Sequence, residues 1–376
     1  LLVFDVVRRM SGRRAVGFVA ALLFAVHPVH SEVLAWIACS PELLSGFFSL
    51  LAVSLYLRAT EPDRQGRPRS LPRRAVLLGS VAMSLAAAQF SKEIGLMVPV
   101  AIVAYEWLVC GRGPVRQLQE RGVEYAVLAA TTAAYLAARF SALGGLAPVG
   151  HGLRLAFGEA VWTRIALFFH YVEALVWPAR LTLFRHDPVN QSPLEAVVLA
   201  GAASLALAAG LAGWLYRRRS PHSAALAFYL LLLLPVFQLP YLYTGVLMVE
   251  RAAYLPSLGF CWLAAAGLCQ LRERVGAGPA VVLLMALLAG YTARSAARLN
   301  DWRDEIALTA EGVAYAPGSF DMHTRMGEAL LRHNRLPEAA ASLREAVRLR
   351  DDYAPAHNAL GWAWWRLNQP GRALQH

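Results

Sequence analysis

The sequence predicts an all-α membrane protein in which a polytopic helical bundle precedes paired helical repeats. Hydrophobic residues make up 57% of the 376 positions and charged residues 16%, and the mean hydropathy is +0.43. Long apolar runs alternate with short arginine-rich loops, which is the usual pattern of a multispan topology. After Arg294, charged residues recur at helical spacing. Together these observations exclude an ordinary soluble domain.

Nine apolar segments are long enough for membrane spans. A spanning helix needs roughly 20 apolar residues, fewer where aromatic or long cationic side chains extend its ends. The predicted spans are 15–29, 40–57, 75–90, 94–110, 123–138, 194–216, 223–239, 252–271 and 279–293. The first seven residues suggest the tail of an earlier span, so we expect the chain to be a fragment that continues beyond both ends.

Arginines fix the predicted orientation, because arginine-rich short loops stay in the cytoplasm. They cluster at 8–14, 58–74, 112–121, 217–219 and 272–274, and each cluster is two spans from the next. The net charge of +11 therefore reflects topology and does not indicate nucleic-acid binding. The apolar stretch 162–177 would break this parity as a tenth span. We interpret 157–193 as a re-entrant or interfacial hairpin on the outer side, turned at Pro178.

The region 294–376 predicts tetratricopeptide-type repeats on the outer side of the membrane. A shift of 34 residues superposes Met326-Gly327 on Leu360-Gly361, Asn334 on Asn368, and Ala339 on Ala373. This is the tetratricopeptide period. We expect a half repeat at 301–317, a full repeat at 320–353 and a partial repeat at 354–376, after a membrane domain spanning 1–293.

Ionisable residues outside the arginine-rich loops collect on the predicted outer side. They are His27, His30, Glu32, Lys92, Glu93, Arg139, Arg185, His186, Asp187, Glu250 and Arg251. Lys92 is the only lysine among 36 basic residues. Polar groups near membrane helix ends are costly, so their collection on one face predicts a site there.

An anionic lipid headgroup is the ligand class that this set suits. Lys92 and Arg251 offer a point charge and a bidentate fork for a phosphate, with His27, His30 and Glu32 beside them. Structural interpretations stay open: the histidines as helix-end residues, Lys92 with Glu93 and Glu250 with Arg251 as local ion pairs, and His186 to Pro188 as a simple turn. No metal site is predicted, and the four cysteines lack metal-ligand spacing and suit buried positions.

Four segments carry a resemblance to a known family. HPVHSEVLAWIACSPELLS, FSKEIGLMVPVAIVAYE, FFHYVEALVWPARLTLFRHD and ERAAYLPSLGFCWL precede a short Asp-Trp segment and the repeats. In this order the chain resembles the transmembrane and tetratricopeptide-repeat-containing O-mannosyltransferases and their bacterial relatives. The resemblance implies a C-type glycosyltransferase fold and transfer of a sugar, typically mannose, from a polyprenyl-phosphate donor to Ser or Thr of a protein.

The resemblance also implies where the roles fall. In such enzymes the acidic catalytic base lies in the first outer loop, which would precede Leu1. The residues of this chain are then expected to bind the donor phosphate (Lys92, Arg251, Arg185) or to assist the base (Glu32, Asp187). The repeats are expected to present the acceptor polypeptide. No protein cofactor is predicted, and metal dependence is left open.

Two other classes compete with the enzyme. A membrane-anchored repeat scaffold would contain the same repeats but has no use for the outer ionisable residues. A transporter for a lipid-linked sugar predicts polar groups deep in the bundle, where Glu106 and Gln238 are the main candidates. The preference for arginine over lysine suggests a GC-rich bacterium, so we expect an inner-membrane protein with periplasmic repeats.

Overall fold

The computed structural model describes residues 1–62, 70–111, 114–144, 155–179, 181, 189–237 and 248–376. The predicted site residues Arg185, His186 and Asp187, and the candidate Gln238, lie outside the described residues. The fold is all-α, as the sequence predicts.

Twelve helices form the membrane part within the described ranges. They are α1 (Leu2–Ser11), α2 (Arg14–Val26), α3 (Ser31–Ala35), α4 (Ser40–Thr60), α5 (Leu71–Ser91), α6 (Met97–Leu108), α7 (Pro114–Leu143), α8 (Phe157–Val176), α9 (Ala196–Arg217), α10 (Ser223–Leu233), α11 (Ser257–Val275) and α12 (Ala277–Asp301). Their apolar surfaces enclose a core that includes Tyr56, Leu85, Ile102 and Trp262, each at most 2% exposed.

Within the described ranges, five helices are long and apolar enough to cross a membrane, so the chain is a multi-pass membrane protein. These are Ile37–Thr60, Leu71–Ser91, Val115–Leu143, Ala196–Arg217 and Ala277–Asp301, which correspond to five of the nine predicted spans. Arg14–Val26 with Pro28–Ala35 would be a sixth, bent by 51°. Three further predicted spans overlap the helices α6 (Met97–Leu108), α10 (Ser223–Leu233) and α11 (Ser257–Val275), but their crossing of the membrane stays a prediction.

The bend after α2 has a local cause. Pro28 lacks an amide hydrogen and disfavours helical backbone at the residue before it. His27 accordingly takes extended backbone, with φ −66° and ψ 126°. A 3₁₀ turn over Pro28–His30 then leads into α3. The bend brings this short helix into contact with α4 and α12.

Ion pairs join loops that the arginine pattern assigns to one side. Arg8 and Arg58, from two predicted cytoplasmic loops, lie 2.7 and 3.0 Å from the carboxylate of Asp5. Arg74 lies 2.7 Å from Glu124 in the same way. The structure thus places described residues at the ends of the first arginine-rich loops next to one another, in agreement with the predicted topology.

Helix α8 occupies the stretch interpreted as an outer hairpin. It is one 20-residue helix that ends at Val176, just before Pro178. Arg164 near its start donates to the carbonyl of Phe237, and the carbonyl of Leu175 at its end lies 3.0 Å from His27 Nε2. Both contacts are with segments on the predicted outer side, while the depth of α8 in the membrane stays a prediction.

Five further helices form the repeat region. They are α13 (Glu305–Tyr315), α14 (Phe320–Arg332), α15 (Leu336–Leu349), α16 (Ala354–Arg366) and α17 (Pro370–Ala373). Helices α14 and α16 have the same length and are offset by the predicted 34 residues. Asn334 and Asn368, which follow them, both have left-handed backbone, with φ of 60° and 59°. The 34-residue offset read from the sequence is therefore also the offset between these two helices, while their assignment as tetratricopeptide repeats stays a prediction.

The junction between the two regions is a continuous helix. Helix α12 runs through the predicted boundary at 293 and ends at Asp301. Arg294 donates to the carbonyls of Pro178 and Ala179, and Ser295 donates to the carbonyl of Val26. These bonds fix this part of α12 to the C-terminal ends of α2 and α8, and so fix the position at which the predicted repeats begin.

Candidate functional site on the predicted outer face of the bundle

Four short segments converge on the predicted outer side. They are α3 with the start of α4, the 3₁₀ turn Glu93–Leu96, the 3₁₀ turn Glu250–Ala253, and the last turns of α12. Each segment brings at least one charged side chain that the surrounding apolar helices would otherwise exclude.

Glu32 and Arg251 form the innermost pair. The main-chain amide of Arg251 donates to Glu32 Oε2 at 2.7 Å, and its guanidinium donates to Glu32 Oε1. The Glu32 side chain is fully buried, while that of Arg251 is 24% exposed. The carboxylate therefore fixes both the backbone and the side chain of Arg251, which stays partly exposed.

Glu42 joins Arg251 to Lys92. Its Oε1 atom lies 3.0 Å from Lys92 Nζ and 3.6 Å from Arg251 Nε. The Lys92 side chain is 42% exposed and that of Glu42 10%. Two cations from distant segments are thus held around one carboxylate oxygen, with Lys92 the more accessible of the two.

Trp36 covers the other side of Arg251. The guanidinium carbon lies 5.5 Å from the centre of a Trp36 ring, a cation–π contact. Trp36 is also 6.1 Å from Trp302, just beyond α12. An aromatic ring therefore limits the directions in which Arg251 can move.

His27 and His30 are part of the bundle wall. His27 Nδ1 accepts from the amide of Val29, so its Nε2 carries the hydrogen and donates to the carbonyl of Leu175. His30 Nε2 lies 2.9 Å from Ser257 Oγ, which itself donates to the carbonyl of Tyr254. Both rings are at most 4% exposed. The structure thus gives the two histidines the helix-end role that the sequence left open, and direct substrate contact by them stays a prediction.

Glu93 forms a separate pair. It lies 3.0 Å from Arg139, which also donates to the Tyr135 hydroxyl at 3.0 Å. Burial opposes ionisation of Glu93, but its own amide, Lys92 and Arg139 together hold its pKa below the usual range. Lys92 and Glu93 are adjacent in sequence, yet Lys92 forms an ion pair with Glu42 and Glu93 forms one with Arg139.

Glu250 points into the interior and pairs with Arg298. Arg298 Nη2 lies 3.7 Å from Glu250 Oε1, and the side chains of both are almost completely buried. Arg298 Nη1 also lies 3.3 Å from Glu311 in the repeat helix α13. The neighbouring residues Glu250 and Arg251 therefore have different partners.

Of the predicted site residues, the structure brings Glu32, Lys92 and Arg251 together. Three partners were missed by sequence reasoning: Glu42, Trp36 and Arg298. Glu42 follows Ser-Pro and has the pattern of an ordinary helix start, and Arg298 lies in a polar stretch after the last predicted span. No group of three or more metal-ligating side chains converges within the described ranges.

This arrangement suits an anion at the membrane surface. Lys92 and Arg251 provide a compact ammonium and a planar guanidinium, the two side chains that bind phosphate best. Both approach from the ends of helices, where a lipid headgroup would lie. Glu42 occupies the space between them in the structure, so an incoming phosphate would replace a carboxylate–cation contact.

The described residues define an all-α multi-pass membrane protein with an ionic cluster at one face and, after α12, two helices of equal length offset by 34 residues. Over 410 aligned residues the chain is 25% identical to protein O-mannosyl-transferase Tmtc3 of Drosophila melanogaster, covering 95% of this chain and 43% of that protein. It is 26% identical to human protein O-mannosyl-transferase TMTC1 over 93% of this chain and 44% of the relative.

A shorter stretch is more similar still. Over 135 residues the chain is 35% identical to Drosophila protein O-mannosyl-transferase Tmtc2, covering 35% of this chain and 14% of the relative. The chain spans less than half the length of these curated relatives. No protein-family model matches the chain, and no solved structure does so either.

Proposed function

We propose that this chain is the membrane part, with the first repeats, of a protein O-mannosyltransferase. In this proposal a mannose attached to a polyprenyl phosphate is transferred to a Ser or Thr hydroxyl of an acceptor protein. The donor phosphate binds between Lys92 and Arg251 on the side predicted to be outer. The repeats present the acceptor polypeptide.

The observation that carries the proposal is the shared contact of Lys92 and Arg251 with one oxygen of Glu42. In glycosyl transfer from a lipid phosphate, negative charge grows on the phosphate as the bond to the sugar breaks. Cations already fixed at that position stabilise the transition state without a further reorganisation cost. The similarity to proteins named O-mannosyl-transferases supports the same reaction class.

Glu32 acts in this proposal as the support of Arg251. Its carboxylate is buried and already engaged with the guanidinium and the amide, so it is poorly placed to take a proton from an acceptor hydroxyl. The expected catalytic base therefore belongs to another segment. A bacterial inner-membrane location with periplasmic repeats, which arginine usage suggests, remains a prediction.

The test is transfer of labelled mannose by the full-length protein in nanodiscs, from polyprenyl-phosphate mannose to a protein acceptor. Lys92→Ala and Arg251→Ala should each reduce transfer by about tenfold or more, because a hydrogen bond to a charged group contributes roughly 1.5–3 kcal/mol. Arg139→Ala is the matched control, since Arg139 is a cation of the same face that pairs with Glu93.

Unchanged transfer by Lys92→Ala and Arg251→Ala would show that the donor phosphate does not bind between these two residues. If the wild-type protein shows neither turnover nor donor binding, the proposal that it is a mannosyltransferase is wrong. That result would favour a membrane-anchored repeat scaffold, in which the outer cluster only stabilises the bundle.

A further inference from the structure

The buried guanidinium of Arg298 links the repeat region to the ionic cluster. Its side chain is fully buried, and its two Nη atoms face three carboxylates. Glu250 belongs to the turn that carries Arg251, Asp301 to the end of α12, and Glu311 to the repeat helix α13. A charge that is removed from water in this way is stable only while its partners stay in place.

A second contact between the same regions is apolar. Leu308 of α13 and Met322 of α14 are buried against Trp36, Val249 and Trp302. Trp36 is the ring that covers Arg251, and Val249 immediately precedes the Glu250–Ala253 turn. The first repeat helices thus contact the support of Arg251 from two sides, through Glu250 and through Trp36.

We propose that Arg298 is a positioning residue through which the repeat helix α13 holds the Glu250–Ala253 turn, and with it Arg251, in the geometry that binds the donor phosphate. This inference rests on the proposed function for the identity of the ligand. The mechanical link itself is independent of that function. Arg298 acts through Glu250 and has no role in contact with the substrate.

If α13 holds the Glu250–Ala253 turn through Arg298, a substitution on α13 should change the geometry of that turn. Glu311 is half-exposed on α13, so its removal is compatible with folding, yet it withdraws one of the carboxylates that neutralise Arg298. Glu311→Ala is therefore the principal variant. Glu305→Ala is its matched control, because Glu305 lies on the same helix and pairs with Arg332 of α14 instead.

The first readout is hydrogen–deuterium exchange of the peptide that contains Glu250 to Ala253, in the full chain in nanodiscs. The amide of Arg251 is bonded to Glu32 and should exchange slowly in the wild type. Glu311→Ala and Arg298→Gln should each accelerate exchange of this peptide about fivefold or more, while Glu305→Ala leaves it unchanged. Arg298→Lys should exchange at a rate between those of the wild type and Arg298→Gln. It keeps the positive charge, but an ammonium cannot reach three carboxylates as the guanidinium fork does.

The second readout is binding of polyprenyl phosphate in the same nanodiscs. The Kd should rise about fivefold or more in Glu311→Ala, the lower end of typical coupling between separated sites, and stay at the wild-type value in Glu305→Ala. Unchanged exchange in both Glu311→Ala and Arg298→Gln would show that Arg298 does not link α13 to the Glu250–Ala253 turn. Faster exchange with an unchanged Kd would overturn the assignment of Arg298 as a positioning residue. If the wild type does not bind polyprenyl phosphate but Glu311→Ala and Arg298→Gln still exchange faster, the link is supported and the proposed function is wrong.

Discussion

Arg251 and Glu32 are 219 positions apart in the sequence and are joined by two hydrogen bonds, one from the guanidinium and one from the main-chain amide. The amide bond constrains the backbone of the Glu250–Ala253 turn, and the guanidinium bond constrains the side chain. Because Glu32 is fully buried, its charge depends on Arg251 for compensation. The pair therefore stabilises the fold and orients the cation of the candidate site at once.

Removal of the Glu32 carboxylate should destabilise the protein strongly. Loss of one partner of a buried pair leaves the other charge uncompensated, and we expect Glu32→Ala to lower the free energy of unfolding by about 3–5 kcal/mol. Glu93→Ala removes a half-exposed carboxylate that also pairs with an arginine, and should cost at most about 1 kcal/mol. Denaturant titration of both variants in detergent measures the difference. Equal effects would show that the Glu32 pair is no more protected from water than the Glu93 pair.

Removal of the Glu42 charge should strengthen phosphate binding. Glu42 contacts both cations, so its carboxylate competes with an incoming phosphate. Glu42→Gln keeps the shape and removes the competing charge, and we expect a fall of roughly fivefold in the Kd for polyprenyl phosphate, since like charges a few ångströms apart repel by up to about 4 kcal/mol near a protein surface.

The comparison that tests this prediction is the Kd at low and at high ionic strength in nanodiscs. The gain in affinity of Glu42→Gln over the wild type should shrink at high salt, because salt screens the repulsion between the Glu42 carboxylate and the phosphate in the wild type. Weaker binding by Glu42→Gln would mean that the carboxylate is needed mainly to hold Lys92 and Arg251 in place.

The helical elements were largely readable from the sequence because they are set by local pattern. Apolar run length located the five long spans, and the 34-residue shift located α14 and α16. The common face of Lys92 and Arg251 followed from counting spans between arginine-rich loops. Each of these inferences requires only the order of residues along the chain.

The pairing within the site was not readable in the same way. Glu42, Trp36 and Arg298 acquire their roles only because α4, the turn at Glu250 and α13 meet in space. Lys92 with Glu93 and Glu250 with Arg251 were open as local pairs. Adjacent residues on a 3₁₀ turn, such as Glu250 and Arg251, point in different directions, and Lys92 has extended backbone just before the turn that begins at Glu93. The partner of each charge was therefore decided by tertiary packing.

Asn334 should tolerate glycine better than alanine. Its φ of 60° lies in the left-handed region, which costs an L-residue with a Cβ roughly 1 kcal/mol and glycine much less. Its side chain also accepts from Arg366 at 2.9 Å, a bond that both substitutions remove. The difference between Asn334→Ala and Asn334→Gly therefore isolates the backbone cost. Local unfolding free energies of α14 and α15, from hydrogen exchange, should differ by about 1 kcal/mol in favour of glycine, and equal values would contradict the assigned turn geometry.

Gly327 should not tolerate even a single added methyl group. An added Cβ would overlap the side chain of Leu343, which is fully buried between α14 and α15 and has little room to move. Overpacking of this kind costs about 1–3 kcal/mol, so Gly327→Ala should increase exchange throughout both helices. Gly318→Ala is the control, because no atom lies within 4 Å of the added Cβ at that turn. Hydrogen exchange of the full chain measures both variants. A Gly327→Ala protein as protected as Gly318→Ala would mean that the two helices are further apart than the repeat geometry requires.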